Sequence, residues 1–358
     1  MSSSRAKRRG QSIALVYSRR AMISRKSDTD GDKPAPRHPI AVNTKARVAV
    51  VGAGVSGLTC AVLLAEHGFT TSILAEQIGD RTDSAAAAAI WFPYDVEPAE
   101  AVIPWALIAY GRFQELARDP STGVSMVEMR TFSRVGPIAP PNWAQAFAPR
   151  VLAGREIPAA FVSGFSIRVP LIETNKYLDY LQTRAIDAGV SIQDGLHFEN
   201  LEEIEDRFDL VVNCSGIGAQ RLVPDPAIEP HRGQVAIVAK FDLPYAVVCD
   251  DPPLMYAIPR SRDCVLGGTN DVSDDRAADS DATARIVTEC QRVLGFAAPA
   301  ILAEHVGLRP SRKGGVRVAM EKLRGGRVVI HNYGHGGAGF TLSWGCAQTV
   351  FELAQNAV

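Results

Sequence analysis

RVAVVGAGVSG, residues 47–57, decides how the rest of this chain is read. The apolar run Val48–Val51, with β-branched Val48, Val50 and Val51, has the length and bounds of a fully buried strand that stops at Gly52. Gly52, Gly54 and Gly57 then fall at the spacing G-x-G-x-x-G. The first glycine suits the tight turn, the second lets backbone approach a pyrophosphate, and the third lets helix pack on strand. From Leu58 the pattern LTCAVLLAEHG predicts a helix ending at Gly68, with unpaired N–H groups and a positive dipole end at its start. TTSIL, residues 70–74, reads as a second strand leading to Glu76, about 20 residues past the glycines, where an acid hydrogen-bonds a ribose hydroxyl. A glycine triplet alone fits any strand-to-helix turn. The full order of strand, glycines, helix, strand and acid points to an adenosine dinucleotide, without separating FAD from NAD.

At 358 residues the chain exceeds one ordinary core, which predicts two domains. A net charge of −1 gives no general attraction to nucleic acid or to acidic membranes, so the expected partner is a small molecule. Six cysteines (Cys60, Cys214, Cys249, Cys264, Cys290, Cys346) show neither C-x-x-C nor metal-ligand spacing. Neither a disulfide framework nor a metal site is predicted, and a reducing, cytoplasmic compartment is the simplest fit. No apolar run reaches the roughly 20 residues of a membrane span, which predicts a soluble protein without membrane partners. Residues 1–46 carry eight basic residues before the first acid, Asp28, and then Pro34 and Pro36. They read as a disordered extension. Arg19-Arg20 lacks a following apolar segment; a transit peptide and an over-long gene model are the alternatives, and Val42 to Lys45 lies where a native start would fall.

RTDSAAAAAIWFPY, residues 81–94, has helix-forming alanines closed by aromatics and Pro93, so a pure helix is not predicted; its small side chains would let backbone lie close to a ligand. Residues 97–117 are amphipathic and predict a surface helix of a second domain. Residues 118–170 predict strands and loops. NKYLDYLQTRAIDAG (175–189) reads as a helix capped by Gly189, with VSIQDG a strand after it. FDLVVNCSGIGA (208–219) repeats the opening logic, a strand entering a second glycine turn. HRGQVAIVAKF (231–241), YAIP and CVLGGT (256–269) alternate like antiparallel strands, and DATARIVTECQRVLG is a helix. Near the end, residues 327–355 predict a strand, a glycine-rich turn and a long helix whose positive end could stabilise negative charge on a reduced isoalloxazine ring.

VVIHNYGHGGAGFTLSWGCA, with VVNCSGIGA, HRGQV, YAIP, LGGT and GLRPSR in order, resembles the FAD-dependent D-amino-acid oxidase family over residues 47–355. The resemblance implies an α/β fold, α+β overall, in which a Rossmann-type FAD-binding domain (47–95, 175–220 and 308–358) is interleaved with a mostly antiparallel-sheet substrate domain (96–174 and 221–307). It implies a cofactor set of Gly52, Ala53, Gly54, Val55, Ser56 and Gly57 at the pyrophosphate and Glu76 with Gln77 at the ribose. Thr82, Asp83, Ser84, Ala89 and Ile90 would form a second flavin loop. Gly336, Gly337, Ala338, Gly339, Phe340 and Thr341 would lie at the pyrimidine end of the ring, with Phe198 and Ser215 as further contacts. For the substrate it implies that Arg309 grips the α-carboxylate in a two-pronged pair, that Tyr256 hydrogen-bonds the same group, and that the Gly337 carbonyl accepts from the amine. The reaction implied is hydride transfer to the flavin without an essential base, with a D-amino acid and oxygen as reactants, so His331 and His335 read as structural. A homodimer is left open.

Four positions depart from the family pattern. Pro252 stands where a second pocket tyrosine is common, Ala338 where a larger side chain is common, and Phe92 where many members have a polar residue. Asn270 stands where the D-aspartate oxidase branch has arginine. The first three alter lid contacts and the shape or polarity of the pocket, and Asn270 removes one partner for a side-chain carboxylate, which favours neutral D-amino acids over acidic ones. A D-aspartate oxidase, a glycine- or sarcosine-type amine oxidase, and a catalytically silent FAD- or NAD-binding scaffold are the other readings.

Overall fold

The computed structural model describes residues 46–93, 96–297 and 299–358; the segment read as a disordered extension lies outside the described residues. In chain order the first half comprises β1 (Arg47–Val51), α1 (Val55–Glu66), β2 (Thr70–Leu74), α2 (Ala99–Leu116), β3 (Val124–Ser133), β4 (Arg150–Val151), β5 (Ser163–Ile172), α3 (Thr174–Asp187), β6 (Ser191–Gln193), β7 (Leu210–Asn213) and α4 (Ala219–Leu222). The second half comprises β8 (Ile228–Ala239), β9 (Ala246–Cys249), β10 (Met255–Pro259), β11 (Asp263–Gly267), β12 (Asp271–Val272), α5 (Ser280–Leu294), β13 (Ile301–Arg312), β14 (Arg317–Lys322), β15 (Val328–Tyr333) and α6 (Gly339–Ala357).

A six-stranded sheet has the order β14-β15-β7-β1-β2-β6, parallel except for the β14–β15 hairpin. Its central strands β1, β7 and β15 are buried on both faces, as the valine runs require. Val48 and Val50 join the cluster under α1 and α6, whereas Ala49 and Val51 face Leu201, Ile204 and Phe208. The strand order reverses between β1 and β7, and an open α/β sheet leaves a crevice beyond the strand ends at such a point. α1 starts at Val55, ahead of the expected Leu58, because extended Gly54 caps it; Gly68 follows its last turn at φ +92.

The second sheet has nine strands, ordered β12-β8-β11-β10-β9-β3-β5-β4 with β13 on β8, and is antiparallel except for β3–β9. Alternation gives it two distinct faces. Ala236, Val238, Ala257 and Leu266 pack with Ile286, Val287 and Cys290 of α5. The opposite face carries the register partners Val235, Gly267, Tyr256 and Val248, with the Gly233–Gly307 and His231–Arg309 pairs in the rows beside them. β13 stays in this sheet to Arg312, past the expected boundary at 308.

The alanine run Ala85–Ala89 is not helical. Trp91 N–H donates to the Pro170 carbonyl, Ile172 N–H donates to the Ala89 carbonyl (both 2.9 Å), and Ile90 bridges Leu171. The edge of β5 thus outcompetes helix propensity, and Ala89 takes φ +49. α2 packs on α6, with the backbone at Trp105 so close to Gly345 that no side chain fits there. All six cysteines are buried free thiols.

Candidate active site

The crevice at the β1/β7 reversal opens into a cavity of about 990 Å³ that continues under the antiparallel sheet. That is at the top of the range of single small-molecule sites, roughly 300–1,000 Å³, as a dinucleotide plus a second small molecule demands. One end is built by the glycine turn. Gly52, at φ +100, lies so close to the Cys214 carbonyl that a Cβ would overlap it, and a Cβ on Gly54 would meet Ser84 Oγ at 2.9 Å. Ser84 Oγ accepts the Val55 N–H at 3.0 Å, tying the second loop to the start of α1. On the β7 side, Asn213 Oδ1 accepts both the N–H (3.2 Å) and the hydroxyl (2.7 Å) of Ser215 and so holds the second glycine turn. Beside the start of α1 the first residues of α6 also line the wall: a Cβ on Gly339 would lie 3.6 Å from Val55, and Thr341 Oγ1 accepts the Phe92 N–H at 3.2 Å.

Gly52, Ala53, Gly54, Val55, Ser56, Glu76, Gln77, Thr82, Asp83, Ser84, Ala89, Ile90, Phe198, Ser215, Gly336, Gly337, Gly339, Phe340 and Thr341 all lie on the cavity wall, as do Arg309 and Tyr256. Two predicted contacts do not. Gly57 turns inward because any side chain there would overlap the Gly52 carbonyl, so it serves helix–strand packing. Ala338 is fully buried, its N–H donating to the His335 carbonyl at 2.9 Å. Glu76 is mostly exposed and sits 3.5 Å from His197 Nδ1. Glu199, and then Glu76, raise the His197 imidazolium above its ordinary pKa. The sequence reading missed His197, Arg276, Leu254 and Asp250, all of which line the wall from loops without a motif.

At the substrate end the sheet holds Arg309 and Tyr256 in place. The guanidinium lies against Gly233, where any side chain would overlap it, and the Tyr256 ring covers Gly267 and Gly268 in the same way. Arg309 Nη1 donates to the Thr269 carbonyl at 3.0 Å and to Asn270 Oδ1 at 3.3 Å; both are neutral, and no ion pair to Arg309 occurs among the described residues. Burial pushes the Tyr256 phenol up, against a smaller lowering by Arg309, so it is a protonated donor at neutral pH. The lining nearby includes the apolar Val235, Val248, Leu254 and Ile258 together with the carboxylate of Asp250.

The two histidines of the closing motif are both buried, and His335 also touches the cavity wall. Buried His335 donates from Nε2 to Asn332 Oδ1 at 3.0 Å, and burial pushes its pKa down to about 4. His331 is fully buried, with Nε2 2.8 Å from Glu321 Oε1, and burial lowers its pKa.

A glycine cradle that side chains would fill, two neighbouring helix N-termini and an acid on the wall beyond β2 fit FAD. Cavities so built, with a separate sheet presenting a small molecule to the flavin end, define the FAD-dependent oxidoreductases. A family model described as FAD dependent oxidoreductase matches residues 47–353, and the chain belongs to that family. It is 40% identical to a D-amino-acid oxidase of Rubrobacter xylanophilus over 87% of this chain and 97% of that one. A D-amino-acid oxidase of Streptomyces coelicolor is 38% identical over 86% and 96% of the two chains. Among solved structures, glycine oxidase from Geobacillus kaustophilus superposes with a TM-score of 0.75 at 18% identity, covering 87% of this chain and 95% of that one, a likeness of fold.

Proposed function

We propose that this chain is a D-amino-acid oxidase, converting neutral D-amino acids with oxygen and water to 2-oxo acids, ammonia and hydrogen peroxide. The observation that carries this reading is the Arg309 guanidinium, seated on Gly233 with neutral partners in a cavity shared with the cofactor. A guanidinium so placed grips a carboxylate with a two-pronged, charge-assisted contact. The Tyr256 phenol donates to the same carboxylate. The Gly337 carbonyl accepts from the amine, and with three points fixed only one face of Cα presents its hydrogen to the flavin end. When bound, FAD supplies the two-electron acceptor for the Cα hydride and passes the pair to oxygen. His335, neutral at pH 7 and engaged by Asn332, is not needed as a base. The apolar wall of Val248, Leu254 and Ile258, with Asn270 beside Arg309, supports neutral side chains over acidic ones.

The decisive experiment follows the flavin absorbance of the purified protein under anaerobic addition of D-alanine, D-methionine, D-aspartate, glycine and the L-enantiomers. Bleaching by the neutral D-amino acids and not by L-amino acids is expected. Bleaching confined to glycine would favour a glycine-type oxidase, and no bleaching at all would leave a silent flavoprotein. Six unpaired buried thiols support a cytoplasmic location, which cell fractionation tests. Among the described residues no helix is long and apolar enough to cross a membrane.

A further inference from the structure

Between β12 and α5 the chain passes through SDDRAAD, residues 273–279. Two buried polar side chains of β8, on the sheet face turned away from the cavity, fix its path. Arg232 donates through Nε to the Asp275 carbonyl (3.0 Å) and through Nη2 to the Ala277 carbonyl (2.5 Å) and Gln234 Oε1 (2.6 Å). Gln234 donates through Nε2 to the Asp279 carbonyl (2.7 Å) and accepts the Asp279 N–H at Oε1 (3.0 Å). A buried guanidinium and amide are costly unless bonded, so this network specifies one path for the loop.

That path delivers Arg276 to the cavity wall. Its Nη1 and Nη2 donate to Asp83 Oδ1 and Oδ2 at 2.7 and 3.1 Å, a two-pronged pair. Asp83 Oδ1 also accepts the Leu308 N–H at 3.0 Å, one residue before Arg309. Asp83 stands in the flavin-side loop beside Ser84, so one carboxylate joins that loop to the strap 273–279 and to β13. The wall also carries Glu76, close enough to act on the charge of Arg276. Two carboxylates beside a negatively charged pyrophosphate would repel it, and a guanidinium between them offsets that repulsion.

We propose that Arg276 is a cofactor-retaining positioning residue: acting through Asp83, it latches the strap of the antiparallel sheet onto the flavin-side loop and holds FAD in its cleft. This rests on the FAD site described above. The pair is partly exposed, with side-chain accessibilities of 52% and 28%, so salt screens it.

The test dilutes the purified holoenzyme and follows flavin release by its fluorescence, at low and at high salt. Arg276→Ala is expected to release FAD about tenfold to a hundredfold faster than the parent, with a shallower salt dependence because the screened pair is gone. Arg276→Lys keeps the charge without the fork and is expected to fall between them. Release from Arg276→Ala within about twofold of the parent, with the parent's salt dependence, would overturn the latch while leaving the oxidase reading intact. Should the alanine variant not fold, the lysine variant decides: faster release supports the latch, and release at the parent's rate overturns it. A parent that carries no FAD would overturn both readings.

Discussion

Arg309 combines a full charge with neutral partners and a seat that only glycine at position 233 allows. Each charge-assisted hydrogen bond contributes about 1.5–3 kcal/mol, and an unpaired substrate carboxylate adds desolvation. Arg309→Ala is therefore expected to lower kcat/KM for neutral D-amino acids by roughly two to four orders of magnitude, with FAD content unchanged and only partial recovery in Arg309→Lys. Turnover of D-alanine within about threefold of the parent would show that the carboxylate is held elsewhere. His335 carries a second prediction. Its folded pKa, about 4, lies below the ordinary imidazole value, so between pH about 6.5 and 4 the unfolded chain binds a proton that the folded one excludes. Stability is then lost as pH falls through that window, by about 1.4 kcal/mol per pH unit at most for this one group. Urea melts from pH 7 to 4.5 should show a shallower acid loss in His335→Gln, and an unchanged slope would reject the assignment. Arg309 was legible because GLRPSR is a motif; Arg276 was not, since a charge in SDDRAAD looks like any solvated loop until Asp83, distant in sequence, is brought to it.

At the scale of elements, periodicity placed strands and helices where they occur, because buried valine runs and glycine caps are local signals. For the alanine run, aromatics and Pro93 already argued against a pure helix, but what it does instead is non-local: it hydrogen-bonds the edge of β5, which no window around residue 85 contains. The G-x-G-x-x-G turn divides its labour as the motif reading of its third glycine has it, and against the pyrophosphate contact that the family resemblance implied for Gly57. Gly52 and Gly54 face the cavity, but Gly57 abuts the Gly52 carbonyl and lies off the wall. A methyl group there must push α1 away from β1, and overpacking of this kind costs about 1–3 kcal/mol. Gly57→Ala is thus expected to lower the denaturation midpoint of the flavin-free protein as well as FAD content. An alanine variant that loses FAD at unchanged flavin-free stability would mean that Gly57 touches the cofactor instead.

Over the whole molecule, the two sheets share one packed interior. A single cluster contains Val48, Val50 and Ile330 of the parallel sheet together with Met129, Ile167, Val235 and Val265 of the antiparallel one. α2, amphipathic as expected, packs its buried face along α6, whose first turn lines the cavity. The interleaved segments therefore share a core cluster, beside a second one between the antiparallel sheet and α5, and the cofactor site is formed jointly by both sheets. Such an arrangement unfolds as one unit, and a ligand that binds only the folded form stabilises all of it, by about 2.7 kcal/mol at a free concentration 100-fold above its Kd. Heating the holoenzyme should accordingly give flavin release and loss of far-ultraviolet circular dichroism at one coincident midpoint, moving upward together when free FAD is added. Flavin release well below the loss of secondary structure, with a second transition insensitive to FAD, would instead show that the antiparallel sheet detaches first and that the shared core does not couple the two.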